Sequence, residues 1–307
     1  MKQGAGVRRL LTVVLVVVAF GFLVWTAAGN WQDLRTYEWQ VDPVLLGLSL
    51  IAHVAVLVWG VLVWSRVLSC FPRVDVRIHQ LLRIWFLSSA ARYIPGKVWQ
   101  FVAAAQLAKG AGLSAALLLT SLMVHTGFAL LAAGVVAAAT LPGATLGLGA
   151  FPWWAPLTVA LIIAIALSHP AVLRALLGAI PRALHRDVVG WEGSWRDGVQ
   201  LLVLSGMSWL FYGVAFYLFV ASLTPLESGS LIPLTGVNAL AFLAGYAVLL
   251  APAGLGVREA AMTVLLSPFV PGGVGAVIAI LSRLWTIAAE LCGAIPALIL
   301  GRSKPAR

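Results

Sequence analysis

Apolar runs of about twenty residues recur along the whole chain, and they constrain its fold more than any motif does. A bilayer core is about 30 Å thick, which takes about 20 helical residues to cross. Of the 307 residues, 62% are hydrophobic and 10% are charged, whereas soluble domains have roughly 45–50% apolar and 25% charged residues. The mean hydropathy is +1.01. We therefore predict an all-α polytopic membrane protein with a single integral membrane domain over residues 1–307.

About six runs are long enough to form full spans, each about 20 residues or more. They are residues 10–28, 43–64, 113–141, 155–176, 199–223 and 274–300. Loops rich in Arg and Lys lie at the N-terminus, after the second span, after the fourth span and at the C-terminus. Positively charged loops stay in the cytoplasm, so we expect both termini on the cytoplasmic side of the cell (plasma or inner) membrane. This distribution accounts for the net charge of +10 without nucleic acid as a partner.

Two further segments are interrupted by proline and glycine. The first has apolar pieces at 81–91 and 98–107, and the second has pieces at 231–250 and 260–269. Proline breaks a helix because it lacks the N–H and clashes with the preceding turn. We predict two re-entrant helical hairpins that enter from opposite faces. If residues 231–250 cross completely, the chain has seven or eight spans.

The two halves of the chain repeat one order of elements. Residues 1–150 and residues 151–307 each contain span, span, hairpin and span, and three crossings per half would invert the second half. Inverted repeats with broken segments in corresponding positions are typical of transporters whose site lies near the bilayer midplane. Irregular backbone at that depth must be buried in protein or line a wet cavity. We therefore predict a binding site at the two corners.

The first corner, Arg92-Tyr93-Ile94-Pro95-Gly96-Lys97, is predicted to bind phosphate. A half-helix N-terminus there would offer free N–H groups and a positive dipole end. Arginine adds bidentate contacts and lysine a point charge. The alternative is that both cations only snorkel to the interface.

The second corner, which includes Gly254 and Gly256, leads into Arg258-Glu259. Arg258 is a candidate for a lipid phosphate, and Glu259 for a cationic headgroup or a proton. Alternatively, Glu259 only stabilises the start of the half-helix.

The last span carries Arg283 and Glu290, seven residues apart on one helix face. Charges inside a membrane are costly and are usually paired. Glu259 is a candidate partner for Arg283, and Arg92 for Glu290. Structural and functional ion pairs both stay open.

No nucleophile elbow, His-Glu-x-x-His motif, P-loop or Asp-rich metal run occurs in the sequence, and these are the motifs that carry common chemistries. We therefore predict no catalytic residue, metal or cofactor, and we do not expect an enzyme.

Two stretches resemble the transmembrane region of the lysylphosphatidylglycerol synthase/flippase family. They are Ser89-Ala90-Ala91-Arg92-Tyr93-Ile94-Pro95-Gly96-Lys97-Val98-Trp99 and Pro252-Ala253-Gly254-Leu255-Gly256-Val257-Arg258-Glu259-Ala260. The resemblance implies a protein that moves an aminoacylated or otherwise modified phospholipid between leaflets. It carries over to Arg92, Pro95, Gly96, Lys97, Pro252, Gly254, Gly256, Arg258 and Glu259. Full-length members also have a C-terminal catalytic domain that uses charged transfer RNA. This chain ends at Arg307, so we expect a stand-alone member without synthase activity.

The first hypothesis is a flippase-like translocase for a lipid with a phosphate headgroup, with aminoacyl-phosphatidylglycerol among the candidates. The second is a secondary transporter of a small anion. The third is a non-catalytic membrane subunit of a lipid-modifying or glycosyl-transferring system, which would dock a lipid-synthesising enzyme through the loop at residues 174–197.

Overall fold

All regular secondary structure in the described part of the chain is helical. The structure, a computed structural model, describes residues 31–72, 76–91, 99–141, 154–183, 190–247 and 256–299, with a few isolated positions outside these ranges. The helices are α1 (Trp31–Thr36), α2 (Pro43–Leu68), α3 (Ile78–Ala91), α4 (Trp99–Gly110), α5 (Ala115–Thr140), α6 (Trp154–Leu167), α7 (Pro170–Ala183), α8 (Trp195–Ala221), α9 (Leu231–Ala247), α10 (Val257–Leu266) and α11 (Gly272–Ile299).

Four of the described helices, α2, α5, α8 and α11, are long and apolar enough to cross a membrane. At 1.5 Å per residue each is about 40 Å long, more than the hydrocarbon thickness of about 30 Å. They coincide with the predicted second, third, fifth and last spans. The predicted first span, residues 10–28, falls almost entirely outside the described residues. The chain is thus a multi-pass helical membrane protein.

Local capping explains where these spans begin. Asp42 Oδ1 accepts the N–H groups of Val44 at 2.8 Å and Leu45 at 3.0 Å, with Pro43 in the first turn of α2, where no N–H is needed. At α8, Ser194 Oγ accepts the Asp197 N–H at 3.3 Å, while Asp197 Oδ2 accepts the Ser194 N–H at 2.9 Å. This reciprocal pair is a capping box.

The predicted fourth span, residues 155–176, is not one straight helix. The segment forms α6 and α7, and the two helices are bent by 69° at a short break. Pro170 causes the break, because it lacks an N–H and disfavours helical geometry at His169 before it. His169 Nδ1 then accepts the Ala171 N–H at 3.3 Å and supports the new helix start. The pair α6–α7 is therefore a broken span or a re-entrant segment.

The helices of both predicted hairpins are present. α3 packs against α4, and α9 packs against α10. The described part of α9 has 17 residues and measures about 26 Å, and both alternatives for this segment, a hairpin and a full crossing, stay open. The corners themselves, residues 92–98 and 248–255, lie outside the described residues. The inverted repeat of residues 1–150 and 151–307, and the total span count, stay predictions.

The described chain divides into two compact units built from interleaved segments. The first unit comprises residues 1–52, 133–158 and 209–285, and contains α9 and α10. The second comprises residues 53–132, 159–208 and 286–307, and contains α3 and α4.

Aromatic side chains fill much of the first unit. Trp285 stacks on Phe219 with ring centroids 4.9 Å apart, and its indole N–H donates to Ser49 Oγ at 3.1 Å. Trp209 meets Phe242 edge to face at 5.1 Å. Because the buried indole has a hydrogen-bond partner, this cluster can pack without an unsatisfied donor at Trp285.

The second unit has an apolar core, and three polar contacts link its segments. The Trp64 indole N–H donates to Ser121 Oγ at 3.0 Å within the core. At the edge, Arg66 pairs with Asp197 at 2.7 Å, and the Glu192 N–H donates to the Cys70 carbonyl at 2.9 Å. These contacts join α2 to α5 and α8, and the turn after α2 to the segment before α8.

Small residues let the helices of the first unit approach closely. A Cβ atom at Gly213 of α8 would lie 2.6 Å from Thr235 Cβ of α9, and one at Gly236 would lie 2.6 Å from Leu141 Cγ. Lipid tails are as apolar as leucine, so membrane helices associate through such close packing and not through the hydrophobic effect.

We therefore expect Gly213→Ala to destabilise the protein by about 1–3 kcal/mol through overpacking. Gly206→Ala is the matched control on α8, because a Cβ there has nothing within 4 Å. That control should be neutral or stabilise by up to about 1 kcal/mol through helix propensity. Unfolding of the purified proteins in detergent measures both effects. Equal stability of the two variants would contradict close packing at Gly213.

Candidate functional site

The second broken segment leads into α10 through a glycine that no other residue could replace without strain. Gly256 has φ +85° and ψ −47°, a left-handed conformation that side chains with a Cβ disfavour. Its carbonyl accepts the Ala260 N–H at 2.8 Å and so closes the first turn of α10. The predicted corner residue Gly256 is thus the N-cap, whereas Gly254 and Pro252 lie outside the described residues.

Glu259 uses both carboxylate oxygens inside the protein. Oε2 accepts the Gly256 N–H at 2.6 Å, which satisfies a backbone donor at the start of α10. Oε1 lies 3.2 Å from Nε of Arg283 on α11. The partnership between Glu259 and Arg283 predicted from the sequence is confirmed. The contact also fixes the start of α10 against α11.

Most of the surface of both side chains in this ion pair is buried. The Glu259 side chain is 6% exposed and the Arg283 side chain 22%. In such a site, removing one partner leaves a charge without compensation, which costs several kcal/mol. The pair therefore has a clear structural role, whichever further role its members have.

Arg258 is buried beside this pair. The residue is 5% exposed, and its Nε and Nη2 atoms have no hydrogen-bond partner within the described residues. A Cβ at Gly245 of α9 would lie 2.8 Å from Arg258 Cβ. Gly245 thus lets α9 approach the backbone of α10 closely at Arg258.

Arg258 differs from its two charged neighbours in its pairing. Glu259 pairs with Arg283, whereas no hydrogen-bond partner of Arg258 Nε or Nη2 lies within the described residues. Burying a cation without a partner is expensive. The geometry is therefore that of a site able to stabilise a bound anion, with the N-terminal end of α10 adding its own positive partial charge.

The structure describes only some of the remaining predicted site residues. Glu290 is buried at 6% exposure and follows Arg283 by two helical turns on α11, in the second unit. The first corner lies outside the described residues, and this applies to Arg92, Tyr93, Pro95, Gly96 and Lys97. Their roles, and the suggested contact between Arg92 and Glu290, stay predictions.

Two further residues of α9 lie outside the two corner motifs. Gly245 contacts Arg258, and only its small size in an apolar helix hinted at a close approach. Asn238, two helical turns earlier on α9, is fully buried. Neither atom of its amide group has a hydrogen-bond partner within the described residues. A polar residue in an apolar membrane helix is the sequence signal for a buried position of this kind.

We expect Glu259→Gln to destabilise the protein by about 2–3 kcal/mol, because it removes the charge that Glu259 places beside the mostly buried Arg283. Adding Arg283→Met should recover part of that loss, with a coupling free energy of about 1–3 kcal/mol.

Denaturant unfolding of the two single variants and the double variant measures the coupling. Glu227→Gln is the control, since Glu227 is exposed and surface changes stay within about 0.5 kcal/mol. Strictly additive losses would show that the ion pair contributes nothing to stability.

Comparison with known proteins adds the family. No curated protein matches the sequence. Residues 10–292 match the model of the family described as the lysylphosphatidylglycerol synthase TM region. The match spans the long helices α2, α5 and α8, both hairpins and most of α11. The chain therefore belongs to the lysylphosphatidylglycerol synthase transmembrane family, the one that its two corner motifs resemble.

Proposed function

We propose that this protein is a lipid translocase that moves a phospholipid with an anionic phosphate group between leaflets, and that it has no enzymatic activity of its own. Family membership supports a membrane protein of lipid metabolism or transport. The observation that carries the narrower proposal is Arg258, a buried arginine without a partner in the described chain at the start of a helix inside a membrane domain.

A phosphodiester is the ligand that this site fits best. Arginine makes bidentate, charge-assisted hydrogen bonds to phosphate, and helix N-termini bind anions through free N–H groups and the dipole. The single positive charge of Arg258 matches one phosphodiester anion. The acyl chains stay in the bilayer, so the protein has to shelter only the headgroup.

Glu259 acts as a positioning residue in this proposal. Its two oxygens are engaged by Gly256 and Arg283, which supports the structural alternative over reading a cationic headgroup or carrying a proton. Glu290, buried on α11, completes the path or couples it to protons.

The first corner supplies the second half of the proposed path. Arg92 and Lys97 bind the phosphate from the cytoplasmic side, beside the half-helix that begins after Pro95-Gly96. One repeat rocks against the other to alternate access, in a cell membrane with both termini cytoplasmic. Transport runs down a gradient or is driven by one. A lipid-synthesising enzyme is the expected protein partner.

A transport assay in proteoliposomes tests the proposal. We expect Arg258→Gln to slow translocation of fluorescent phosphatidylglycerol about tenfold or more, because a hydrogen bond to a charged group is worth about 1.5–3 kcal/mol. Arg258→Lys should keep part of the rate, since lysine retains the charge but loses the bidentate contact. Combined Arg92→Ala and Lys97→Ala changes should also slow it.

Arg35→Gln is the control, because Arg35 is exposed and outside the site. If transport is unchanged in the Arg258 and Arg92/Lys97 variants, the assigned roles are wrong. Uptake of free phosphate into sealed liposomes, with no movement of lipid, would favour the small-anion transporter instead.

A further inference from the structure

The helix α7 turns away from α6 after most of a membrane has been crossed. α6 begins at the exposed Trp154, a residue type enriched at membrane interfaces. Its 14 residues measure about 21 Å, against a hydrocarbon core of about 30 Å. Ile162, Ile163 and Ile165 of α6 are exposed, so in a membrane protein they contact lipid. Because α7 is bent by 69° from α6, an α6 that crosses the bilayer directs α7 along the opposite membrane surface.

Three different faces surround the axis of α7. Leu173 and Leu177 pack against the apolar core of the second unit. Leu176 lies on one side of that stripe and is 51% exposed, and Arg174 lies on the other side and is exposed as well. Residues two apart in a helix are about 200° apart around its axis, so Leu176 and Arg174 face opposite ways. Helices that lie in a membrane interface have this division between an apolar and a basic face.

The corner before α7 is fixed beside a second tryptophan. The rings of His169 and Trp195 lie 6.2 Å apart, and Trp195, at the start of α8, is 52% exposed. A Cβ at Gly198 would collide with the Ser168 carbonyl oxygen, so the corner packs directly on the first turn of α8. Exposed tryptophans therefore mark both ends of the α6 segment, as expected at the two interfaces of a membrane.

The Arg174 side chain is oriented by the start of its own helix. Its Nε donates to the Pro170 carbonyl at 3.1 Å, which holds the guanidinium group beside the first turn of α7. A guanidinium group has five N–H donors, so a phosphate can bind next to this bond. Arg196 and Glu192, both exposed around the start of α8, offset each other in formal charge. A preference for anions at α7 therefore depends on Arg174.

We propose that α7 lies in the membrane interface and binds anionic phospholipid headgroups through Arg174, while Leu176 enters the acyl-chain region. The pair α6–α7 is then a broken span whose second helix runs along the membrane surface. This surface is separate from the site at Arg258, and the inference does not depend on lipid translocation.

A membrane fits this surface better than a protein partner does. α6, which leads into α7, already contacts lipid through its exposed isoleucines. The apolar face of α7 at Leu176 matches acyl chains, and the opposite face at Arg174 matches anionic headgroups. A lipid leaflet offers both chemistries at the depth where the exposed Trp195 lies.

Fluorescence quenching of the full-length protein in phospholipid vesicles tests the depth of α7. Cys292→Ser removes the exposed cysteine, and Leu176→Cys or Arg174→Cys then carries a nitrobenzoxadiazole label. Both positions are exposed, so the labels leave the core intact. We expect nitroxides on acyl chains to quench the label at position 176 severalfold more than the label at position 174. Iodide in the water should show the reverse order.

Spin-labelled phosphatidylglycerol and phosphatidylcholine, compared at equal mole fraction, test the headgroup. We expect phosphatidylglycerol to be enriched about fivefold beside the label at position 176, the equivalent of about 1 kcal/mol for one basic residue at an anionic surface. Arg174→Gln should make the two lipids equivalent. Lys109→Gln is the matched control, because Lys109 is exposed at the end of α4 and lies outside α7.

A label at position 176 that iodide quenches and acyl-chain nitroxides do not would overturn the inference and leave this face to a protein partner. Equal quenching by the two spin-labelled lipids would overturn the binding of anionic headgroups. Both results are independent of lipid transport, which the Arg258→Gln variant tests.

Discussion

The contact between Glu259 and Arg283 is the interaction on which the described site depends. It joins the first turn of α10 to the middle of α11 at 3.2 Å, and the same carboxylate holds the Gly256 N–H. One side chain therefore satisfies a helix terminus, neutralises a buried cation and fixes two helices against each other. Without it, the backbone that ends the broken segment would expose polar groups to an apolar environment.

Small residues allow the helices around the contact between Glu259 and Arg283 to pack closely. Gly245 admits the backbone of Arg258, and Gly275 of α11 lies near the Thr263 carbonyl, which a Cβ would meet at 3.4 Å. α10 therefore packs against α9 at Gly245 and against α11 at Gly275. The buried cation is a consequence of packing, since a longer residue at position 245 would force α10 outward.

In the proposed site, the charged residues and the apolar residues lie in different places. In the proposed function the phosphate binds at Arg258, at the start of α10, and the residues that line the surface between α9 and α10 beyond it are Ala, Val and Leu. A lipid has the same division between headgroup and chain. A membrane protein gains little from burying hydrocarbon, so selectivity in such a site has to come from its few charges.

The sequence was sufficient for the properties set by length, composition and single residues. Apolar runs longer than the bilayer core predicted α2, α5, α8 and α11, and proline and glycine marked the breaks around both hairpins. The rarity of intramembrane charge pointed to Arg283 and its partner Glu259. The sequence analysis did not predict the bend between α6 and α7, although Pro170 lies in the segment. The prediction rested on the length and apolar composition of the run, and these do not change when one residue lacks a backbone N–H.

Only the tertiary structure decided how those residues are used. Both oxygens of Glu259 are occupied and Arg258 is not paired within the described chain, yet the two residues are neighbours with equally plausible roles in the sequence. The apolar surface between α9 and α10 that Ala244, Ala260 and Ala261 help to line was equally invisible, because an alanine that lines a cavity and one that faces lipid look identical in a sequence. Which face of a helix meets another helix depends on long-range packing, and one-dimensional patterns do not contain that information.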